Sequence, residues 1–430
     1  MLDIKFIREN LDLVKESLKK REFKDIKLVD KALELYESKS KVLIEVEELR
    51  NRKNKAAQER NIEEGKRIKE ELAKKEEILK KSEEELKEIL YKIPNIVAED
   101  IPVGKGEEAN KILRKWGEPK KLNFEVKDHL SLGIKLGIVD IEKAGQVTGS
   151  RFVYLKGDAV LIQNALYQLV LDVLVSEKIL SGISNKVEKG YSSKIFLPVV
   201  PPLIINPETY TKMARLSEKD EIERYHLERD GQYLIGSAEH TLGPLHMEET
   251  LSEDILPVRY FAFTPCFRRE AGSYGKDTRG ILRVHQFDKI EMVSFTTSEN
   301  GQKEQYFIVG IIEFLMQKLK IPYQVVAICT GDMVDPDYRQ IDIESWMPSE
   351  GKYRETHTSD FNTDYQSRRL NTRVRRKDGK TEFVFMNDAT AFAIGRTIIA
   401  ILENYQQKDG SVVVPEVLRK WVGKDKISSL

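Results

Sequence analysis

The chain contains 430 residues and carries no formal net charge, because 71 lysines and arginines balance 71 aspartates and glutamates. A chain of this length can form two or three domains, each with a substantial core. Zero net charge excludes a general electrostatic attraction to nucleic acids, so any contact with RNA or DNA must come from local basic patches.

Several features of the chain bear on its compartment. The two cysteines, Cys266 and Cys329, have no CxxC spacing, which argues against a disulfide framework and against a zinc site built from cysteines. The N-terminal segment has no apolar signal core, and its acidic residues argue against a transit peptide. No apolar run approaches the length that spans a bilayer. We therefore expect a soluble cytoplasmic protein with no membrane partner.

The segment between residues 28 and 93 is the most periodic part of the chain. Apolar residues recur there with 4-3 heptad spacing on both sides of a polar break at residues 61–65, and neither half contains proline. Such a pattern predicts an antiparallel coiled-coil hairpin whose helices each extend roughly 45–50 Å. Pro94 disfavours a helical conformation at Ile93, so the hairpin should end there. The apolar heptad positions are Leu28, Ala32, Leu35, Val42, Val46, Leu49, Ala56, Ile68, Leu72, Leu79, Leu86, Ile89 and Ile93.

Two interpretations of this hairpin stay open on the residues alone. It could be a dimerisation or spacer coiled coil, or it could be a nucleic-acid-binding arm. The second interpretation depends on a local excess of basic residues at its distal end, because such clusters attract phosphates. Those residues are Arg50, Arg52, Lys53, Lys55, Arg60, Lys66, Arg67 and Lys69.

Proline and glycine are frequent in residues 94–123, which predicts a linker. We therefore expect a helical domain over residues 1–93, the linker, and a mixed domain over residues 124–430. Strands in this last part alternate with hairpins, so the fold class should be α+β with a mostly antiparallel sheet. Apolar patterns predict helices over residues 157–179, 302–320 and 390–405.

The segment Phe267–Glu291 has the highest density of functional side chains in the chain. It predicts two antiparallel strands joined by a long turn over residues 271–280. Arginine suits bidentate binding of phosphate, so Arg268 and Arg283 on facing strands would neutralise a triphosphate bound between them. A surface hairpin with cross-strand ion pairs is the alternative. The residues that would share one face of the second strand are Arg283, His285, Phe287, Lys289 and Glu291.

Three further groups are candidates for chemistry. Small residues precede Glu239, which could hold an amino group, although a turn at a strand end also explains them. Glu355, in a predicted loop, is followed three residues later by Thr358, a pair of oxygen ligands that suits Mg²⁺. His357 between them is more often a packed or surface histidine than a metal ligand. Arg396 lies in an otherwise apolar segment and must therefore pair with a carboxylate or an anionic ligand.

Four blocks of the sequence together resemble the seryl-tRNA synthetases. The heptad hairpin is similar to the tRNA-binding arm of that family, and residues 92–119 are similar to its connector. Phe267–Glu291 resembles motif 2 of the class II synthetases, and residues 395–406 resemble motif 3. Motif 1 would be the segment that closes at Pro202. The resemblance extends from end to end of the chain, and the blocks occur in the family's order.

The resemblance implies a class II fold, with a mostly antiparallel sheet flanked by helices, in a homodimer that uses motif 1. It implies that ATP and L-serine form seryl-adenylate and pyrophosphate, and that Mg²⁺ assists. The seryl group would then pass to the 3′-terminal adenosine of tRNA(Ser), with tRNA(Sec) as a possible further substrate.

The resemblance implies a role for each residue of this chain that matches a functional position of the family. Arg268 would hold the α-phosphate on the side of the serine carboxylate, and Arg396 would hold the γ-phosphate; these two form the expected catalytic pair. Glu270 would contact the adenine and Phe287 would stack on it. Thr390 would contact the serine hydroxyl. The positions assigned to ATP are Arg268, Arg269, Glu270, Arg283, Val284, Phe287, Glu355, Thr356, His357, Thr358 and Arg396. The positions assigned to serine are Ser237, Ala238, Glu239, Arg268, Glu291 and Thr390. Glu355 and Thr358 are those assigned to Mg²⁺.

The sequence departs from the family pattern at three places. Ser237 replaces the usual threonine, and Asp388 replaces the usual asparagine, which adds a charge near the serine site. Residues 357–362 read His-Thr-Ser-Asp-Phe-Asn instead of the usual Ser-Ser-Cys-Ser-Asn-Cys. The absence of further cysteines also argues against the zinc-dependent branch of the family.

Two other functions remain to be weighed against a serine–tRNA ligase. An amino acid:carrier-protein ligase of related fold usually lacks the arm, whereas this chain has a full one. A catalytically inactive paralogue that acts as a coiled-coil interaction protein would have no reason to keep buried charges. The charged residues retained here include Arg268, Glu270, Glu291 and Arg396.

Overall fold

The computed structural model describes residues 1–271 and 280–429, and the chain divides into two compact units. The first unit consists of Met1–Val97 together with Val334–Pro336, and the second consists of Ala98–Met333 together with Asp337–Leu430. The predicted turn between the two strands of the Phe267–Glu291 segment falls largely on residues 272–279, which lie outside the described residues.

Helices occur in both units. In chain order, the α-helices of the described residues are α1 (Ile4–Glu9), α2 (Leu11–Lys20), α3 (Lys27–Gln58), α4 (Ile62–Lys92), α5 (His129–Lys135), α6 (Ile141–Thr148), α7 (Asp158–Leu174), α8 (Glu177–Val187), α9 (Pro207–Lys212), α10 (Glu218–Glu221), α11 (Glu239–Leu242), α12 (Gly301–Leu319), α13 (Tyr365–Leu370), α14 (Ile394–Asn404) and α15 (Arg419–Val422).

Strands occur in the second unit. In the part of the chain that the structure describes, they are β1 (Lys111–Trp116), β2 (Val139–Asp140), β3 (Tyr154–Leu155), β4 (Leu197–Pro198), β5 (Ile204–Ile205), β6 (His226–Leu227), β7 (Gln232–Leu234), β8 (Thr250–Ser252), β9 (Val258–Phe267), β10 (Gln286–Thr296), β11 (Tyr323–Ala327), β12 (Arg339–Met347), β13 (Lys352–Thr363), β14 (Arg373–Arg375), β15 (Thr381–Phe383), β16 (Phe385–Ala393), β17 (Val412–Val413) and β18 (Lys426–Ile427).

Helices α3 and α4 form the predicted coiled-coil hairpin, which is confirmed. Asn61 caps α4, because its side-chain oxygen accepts a hydrogen bond from the backbone N–H of Glu64 at 3.1 Å. Ion pairs across the two helices complement the apolar contacts, including Arg50–Glu76 at 2.7 Å. Apolar contacts between the helices hold the distal half together, through the buried residues Val46, Leu49, Ala56, Ile68 and Leu72.

An eight-stranded sheet forms the centre of the second unit. Its order is β1-β11-β12-β13-β16-β10-β9-β4, and every neighbouring pair is antiparallel except β9 and β4. Helices α7, α8, α12 and α14 contribute to the main apolar core together with side chains from the sheet. The predicted α+β fold class, an antiparallel sheet flanked by helices and preceded by a helical hairpin, is therefore confirmed.

Strand β10 begins at Gln286 rather than at Ile281, so the prediction that Arg283 and His285 lie on it is wrong. The ladder with β9 ends at the pair Phe267–Gln286. The backbone N–H of His285 donates instead to the carbonyl oxygen of Arg151 at 2.9 Å. Because this N–H is bonded to Arg151, which is not part of β9, strand β10 does not extend back to Ile281.

Other predicted elements differ from the structure for similarly local reasons. Residues 390–393 belong to strand β16 rather than to a helix, because this central strand is buried on both faces and shows no polar alternation. Glu355 lies in strand β13, not in a loop. The predicted helix 157–179 is interrupted after Leu174, and Ser176 caps the second piece. The segment predicted as a linker contributes strand β1 at one edge of the sheet, and the predicted domain boundaries stay a prediction.

Helix length and hydropathy bear on the membrane question. Among the described residues, no single helix is long and apolar enough to cross a membrane. Helices α7 and α8 meet the criteria of length and composition only when they are counted together, and they are bent by 70°.

Arg259 on β9 and Glu304 on α12 form an ion pair in the core of the second unit. The guanidinium donates to the two carboxylate oxygens at 2.7 Å each, and both side chains are fully buried. The hydroxyl of Tyr191 donates a further hydrogen bond to Glu304 at 2.6 Å. Because every group has a partner, the pair is tolerated, but removal of one partner would leave a buried charge uncompensated.

We expect Glu304→Ala to lower the free energy of unfolding of this unit by about 3–5 kcal/mol. The matched control is Glu299→Ala, because Glu299 is largely exposed where it pairs with Arg376; its loss should cost less than about 1 kcal/mol. Equilibrium urea unfolding followed by tryptophan fluorescence reports on this unit, which contains all three tryptophans. Equal destabilisation by the two variants would contradict the prediction.

Candidate active site

Three buried carboxyl groups meet on one side of the sheet. Glu239 is the first residue of α11, Glu291 lies on β10 and Asp388 lies on β16. One oxygen from each of them lies within 4.8 Å of the others. Three like charges this close repel one another, so the group needs cations, protons or a ligand to balance it.

The guanidinium of Arg215 lies beside this group. Its Nε is 2.6 Å from Glu239 Oε1, and its Nη2 is 3.7 Å from Asp388, 3.8 Å from Asp360 and 3.9 Å from Asp337. Burial lowers the pKa of Arg215, but these carboxyl groups outweigh burial and hold its pKa well above the ordinary value. Arg215 is therefore a fixed positive charge behind the acidic group.

Glu239 is the carboxylate that Arg215 pairs most closely. Burial alone would raise the pKa of Glu239, but Arg215 and His240 overcome that effect and hold the pKa well below its usual range. Nδ1 of His240 accepts a hydrogen bond from the backbone N–H of Gly236 at 3.1 Å. The proton of the neutral imidazole must therefore lie on Nε2, which is 3.4 Å from Glu239 Oε1. Burial lowers the pKa of His240 to about 3, so it stays neutral.

Glu291 has a different set of partners. Lys289 Nζ lies 2.9 Å from one of its oxygens and also donates to the hydroxyl of Ser237 at 3.3 Å. The hydroxyl of Thr390 lies 3.4 Å from both carboxyl oxygens. Burial raises the pKa of Glu291, and the nearby charge of Glu239 adds to the effect, although Lys289 opposes it.

Asp388 accepts a hydrogen bond from the side-chain amide of Asn362 at 2.7 Å. Burial raises the pKa of Asp388 well above its ordinary value, and the neighbouring Glu239 and Asp360 raise it further. These influences favour the protonated form of Asp388, and a proton there would let Asp388 donate a hydrogen bond to the carboxylate of Glu239.

Arg268 lies at the end of β9, next to the acidic group. Its Nε donates to the carbonyl oxygen of Gly236 at 3.1 Å, and its guanidinium carbon is 5.5 Å from the centroid of the Phe287 ring. Arg283 Nη1 lies 3.5 Å from Glu270 Oε2. The segment predicted to bind a nucleotide therefore presents a guanidinium, an aromatic ring and an ion pair at one end of the sheet.

Glu355 and Arg396 form a second charged pair. Arg396 Nη1 donates to Glu355 Oε1 at 2.7 Å and to its backbone carbonyl at 3.1 Å. The hydroxyl of Thr358 lies 3.5 Å from the same carboxylate oxygen. Burial works to raise the pKa of Glu355, but Arg396, Arg268 and Lys289 together hold it below the ordinary value. The fields of all three cations therefore reach this carboxylate, although nearly half of its side chain is exposed.

Some predicted site residues do not present their side chains here. Thr356 and His357 are buried, and the Thr356 hydroxyl contacts the hydroxyl of Ser345 at 2.7 Å and His357 Nδ1 at 2.7 Å. A bulge in β13 opposite the Ile343/Glu344 step turns both side chains away from the side that Glu355 occupies. Val284 is buried as well. The guanidinium carbon of Arg269 lies 5.7 Å from the Tyr225 ring centroid.

The charged and polar groups of the site that were not among the predicted site residues include Arg215, His240 and Lys289. Arg215 lies in a stretch without periodicity, so no sequence signal marks it. His240 directly follows Glu239, but adjacency in the sequence does not show that the two side chains contact each other. Lys289 could have been found, since it lies between Phe287 and Glu291 on the same face of the strand.

Comparison with known proteins places these features in a family. The seryl-tRNA synthetase N-terminal domain matches residues 1–97, and the tRNA synthetase class II core domain (G, H, P, S and T) matches residues 225–405. The chain is 40% identical to the serine–tRNA ligase of Brachyspira hyodysenteriae, over 99% of both chains. It is 41% identical to that of Thermotoga petrophila, over 98% of this chain and 99% of the relative.

Solved structures agree with the sequence comparison. Seryl-tRNA synthetase from Pyrococcus horikoshii complexed with ATP matches with a TM-score of 0.90 at 36% identity, over 100% of both chains. The cytoplasmic serine–tRNA ligase of Naegleria fowleri in complex with AMP matches with a TM-score of 0.87 at 33% identity, over 100% of this chain and 99% of that one. Because this similarity covers the helical hairpin and the sheet over nearly the full length of the chain, the chain belongs to the seryl-tRNA synthetase family.

Proposed function

We propose that the chain is an ATP-dependent serine–tRNA ligase, which forms seryl-adenylate and transfers the seryl group to the 3′ end of tRNA(Ser). One observation carries the proposal: the charge of Arg268 acts both on Glu291, in the buried group of three carboxyls, and on Glu355, in the charged pair Glu355–Arg396. An ammonium on one side and a triphosphate on the other would bring a serine carboxylate and the α-phosphate of ATP together at this arginine.

The first step needs charge neutralisation and positioning rather than a nucleophilic side chain. Glu239 and Glu291 would bind the α-ammonium of serine, and Thr390 would contact its hydroxyl. The serine carboxylate attacks the α-phosphorus, a new P–O bond forms, and the bond to the β-phosphate breaks to release pyrophosphate. Arg268 would stabilise the charge that develops on the α-phosphate. Ser237 and Ala238 would line the amino-acid pocket.

ATP would lie along the same face of the sheet. Phe287 would stack on the adenine, Glu270 would contact it, and Arg396 would bind the γ-phosphate. Arg269, Arg283, Val284, Thr356 and His357 complete the predicted ATP site, the last three through backbone atoms since their side chains are buried.

The oxygen donors of Glu355 and Thr358 fit a magnesium ion, because Mg²⁺ prefers hard oxygen ligands. The carboxylate is ionised and partly exposed, and the hydroxyl is 3.5 Å away from it. When bound there, Mg²⁺ would neutralise phosphate charge.

In the second step, a ribose hydroxyl of the 3′-terminal adenosine attacks the seryl carbonyl and AMP leaves. The helical hairpin α3–α4 would hold the tRNA. Arg50 and Arg52 pair with Glu76 and Glu64 across the helices, so they are less suited to bind phosphates. The exposed basic residues that remain near the tip are Lys53, Lys55, Arg60, Lys66, Arg67 and Lys69. This reaction would take place in the cytoplasm.

A homodimer through the segment around β4 completes the proposal. This short strand is an edge of the sheet, next to β9. Leu197 is 49% exposed and Val200 is 97% exposed, and apolar side chains this exposed beside an open sheet edge favour association with a second chain.

Arg268→Ala should reduce serine-dependent ATP–pyrophosphate exchange by about 10³-fold or more, because the α-phosphate loses its main cation. Arg376→Ala is a matched control, since Arg376 pairs with the exposed Glu299; it should leave exchange unchanged. Near-normal exchange by Arg268→Ala would refute the site assignment.

The triple variant Lys66→Ala/Arg67→Ala/Lys69→Ala should raise KM for tRNA at least about tenfold. It should also flatten the dependence of KM on salt, because a protein with fewer cations releases fewer counterions from the tRNA when it binds. Serine-dependent exchange without tRNA should stay normal in this variant. Deletion of residues 30–92 should also leave that exchange normal, but it should abolish the charging of tRNA. Lys80→Ala/Lys81→Ala, nearer the base of the hairpin, is the control. Unchanged tRNA charging by the triple variant, measured across salt concentrations, would count against the arm.

Val200→Asp should weaken the proposed dimer by at least about 100-fold, because it places a charge in an apolar contact. Sedimentation velocity over a range of concentrations measures the change. Val103→Asp alters a valine that is 59% exposed elsewhere and should leave the association constant unaltered. A monomeric wild-type protein, or a Val200→Asp variant that dimerises normally, would exclude this interface.

A further inference from the structure

The buried cluster of Glu239, Glu291 and Asp388 contains more carboxyl groups than are needed to bind the α-ammonium of one serine. Glu239 already has Arg215 at 2.6 Å, and Glu291 already has Lys289 at 2.9 Å. Asp388 has no such close cation: among the described residues its one cationic partner is the shared Arg215, at 3.7 Å. The weaker pairing of this third carboxyl leaves it the one of the three that can hold a proton in place of a close cation.

The position of Asp388 relates it to the substrate side chain. Asp388 and Thr390 are two residues apart on strand β16 and so point to the same face of the sheet. Thr390 contacts Glu291, and an oxygen of Asp388 lies within 4.8 Å of oxygens of both Glu239 and Glu291. A ligand with polar groups on adjacent carbons can therefore place one of them on the glutamates and the other on Asp388.

The chemistry of Asp388 suits an amine at that second position. Burial and Glu239 raise its pKa, and in its protonated form the carboxyl can donate a hydrogen bond to a hydroxyl. A neutral amine would instead take the proton, which leaves a carboxylate against an ammonium. No net charge enters the site, because the proton moves from one oxygen of Asp388 to the nitrogen.

We propose that Asp388 is a specificity-determining residue, and that it lets the amino-acid pocket accept small 2,3-diamino acids in addition to serine. L-2,3-diaminopropionate has the skeleton of serine with an amino group in place of the hydroxyl, and it is the simplest member of this class. The inference rests on the proposed function, since it names a second substrate class for the same activation step.

The test is ATP–pyrophosphate exchange by the full chain with L-serine, L-2,3-diaminopropionate and L-alanine. The diamino acid should support exchange with kcat/KM within about tenfold of that for serine, whereas alanine, which leaves the buried polar groups unpaired, should be at least about 100-fold worse. A wild-type protein that activates serine but not the diamino acid would overturn the inference and leave the proposed function standing. Absence of serine-dependent exchange would instead refute the proposed function.

Asp388→Asn isolates the residue. The ratio of kcat/KM for the diamino acid to that for serine should fall at least about 100-fold, because the amide can neither supply the proton nor pair with the ammonium. Asp172→Asn makes the same change outside the site, on helix α7, where the exposed carboxylate pairs with Lys420 at 3.0 Å, and should leave the ratio within about threefold of the wild type. Both ratios are independent of the fraction of folded enzyme. An unchanged ratio in Asp388→Asn would assign the selectivity to another residue.

Discussion

The buried ion pair between Arg215 and Glu239 is the contact on which the proposed amino-acid side of the site depends. Glu239 could not remain ionised in this buried position without a cation, since burial alone raises its pKa. Arg215 supplies that charge at 2.6 Å, and the neutral imidazole of His240 adds a hydrogen-bond donor. Burial raises the pKa of Asp388, and an ionised Glu239 raises it further. One guanidinium thus favours the ionised form of Glu239.

Strand β10 connects these buried charges to the proposed nucleotide side of the site. Alternate residues serve two faces: Phe287, Lys289 and Glu291 face the site, whereas Ile290 and Met292 enter the main apolar core. Because the strand is paired on both sides, with β9 and β16, the spacing between the aromatic ring and the carboxylate is fixed by the pleat. The core thereby fixes the distance between the two binding regions.

Local chemistry in the sequence predicts part of this arrangement. The alternation in residues 287–291 indicates a functional face. The cost of an unpaired charge in an apolar segment predicts a carboxylate or an anionic ligand for Arg396, and Glu355 provides a carboxylate. Arg215 could not be found this way, because its partners come from four separate segments and lie at no regular spacing from it. The side-chain direction of His357 depends on a bulge, which the sequence does not mark. Strand β10 starts later than predicted because the backbone N–H of His285 donates to the carbonyl oxygen of Arg151, which is distant in sequence.

The contact between Arg396 and Glu355 explains how a site of this kind tolerates its own charges before substrates arrive. Each group neutralises the other at 2.7 Å, and both remain partly exposed. A phosphate can displace Glu355 from Arg396 without a large penalty only if the carboxylate gains another cation or becomes hydrated. Glu355 satisfies that condition, because nearly half of its side chain is exposed and the fields of Arg268 and Lys289 reach it. Glu291, which is buried against Lys289, has no such freedom. In the proposed site, the Glu355–Arg396 pair can therefore exchange partners while Glu239 and Glu291 stay preorganised, which suits a two-substrate adenylation.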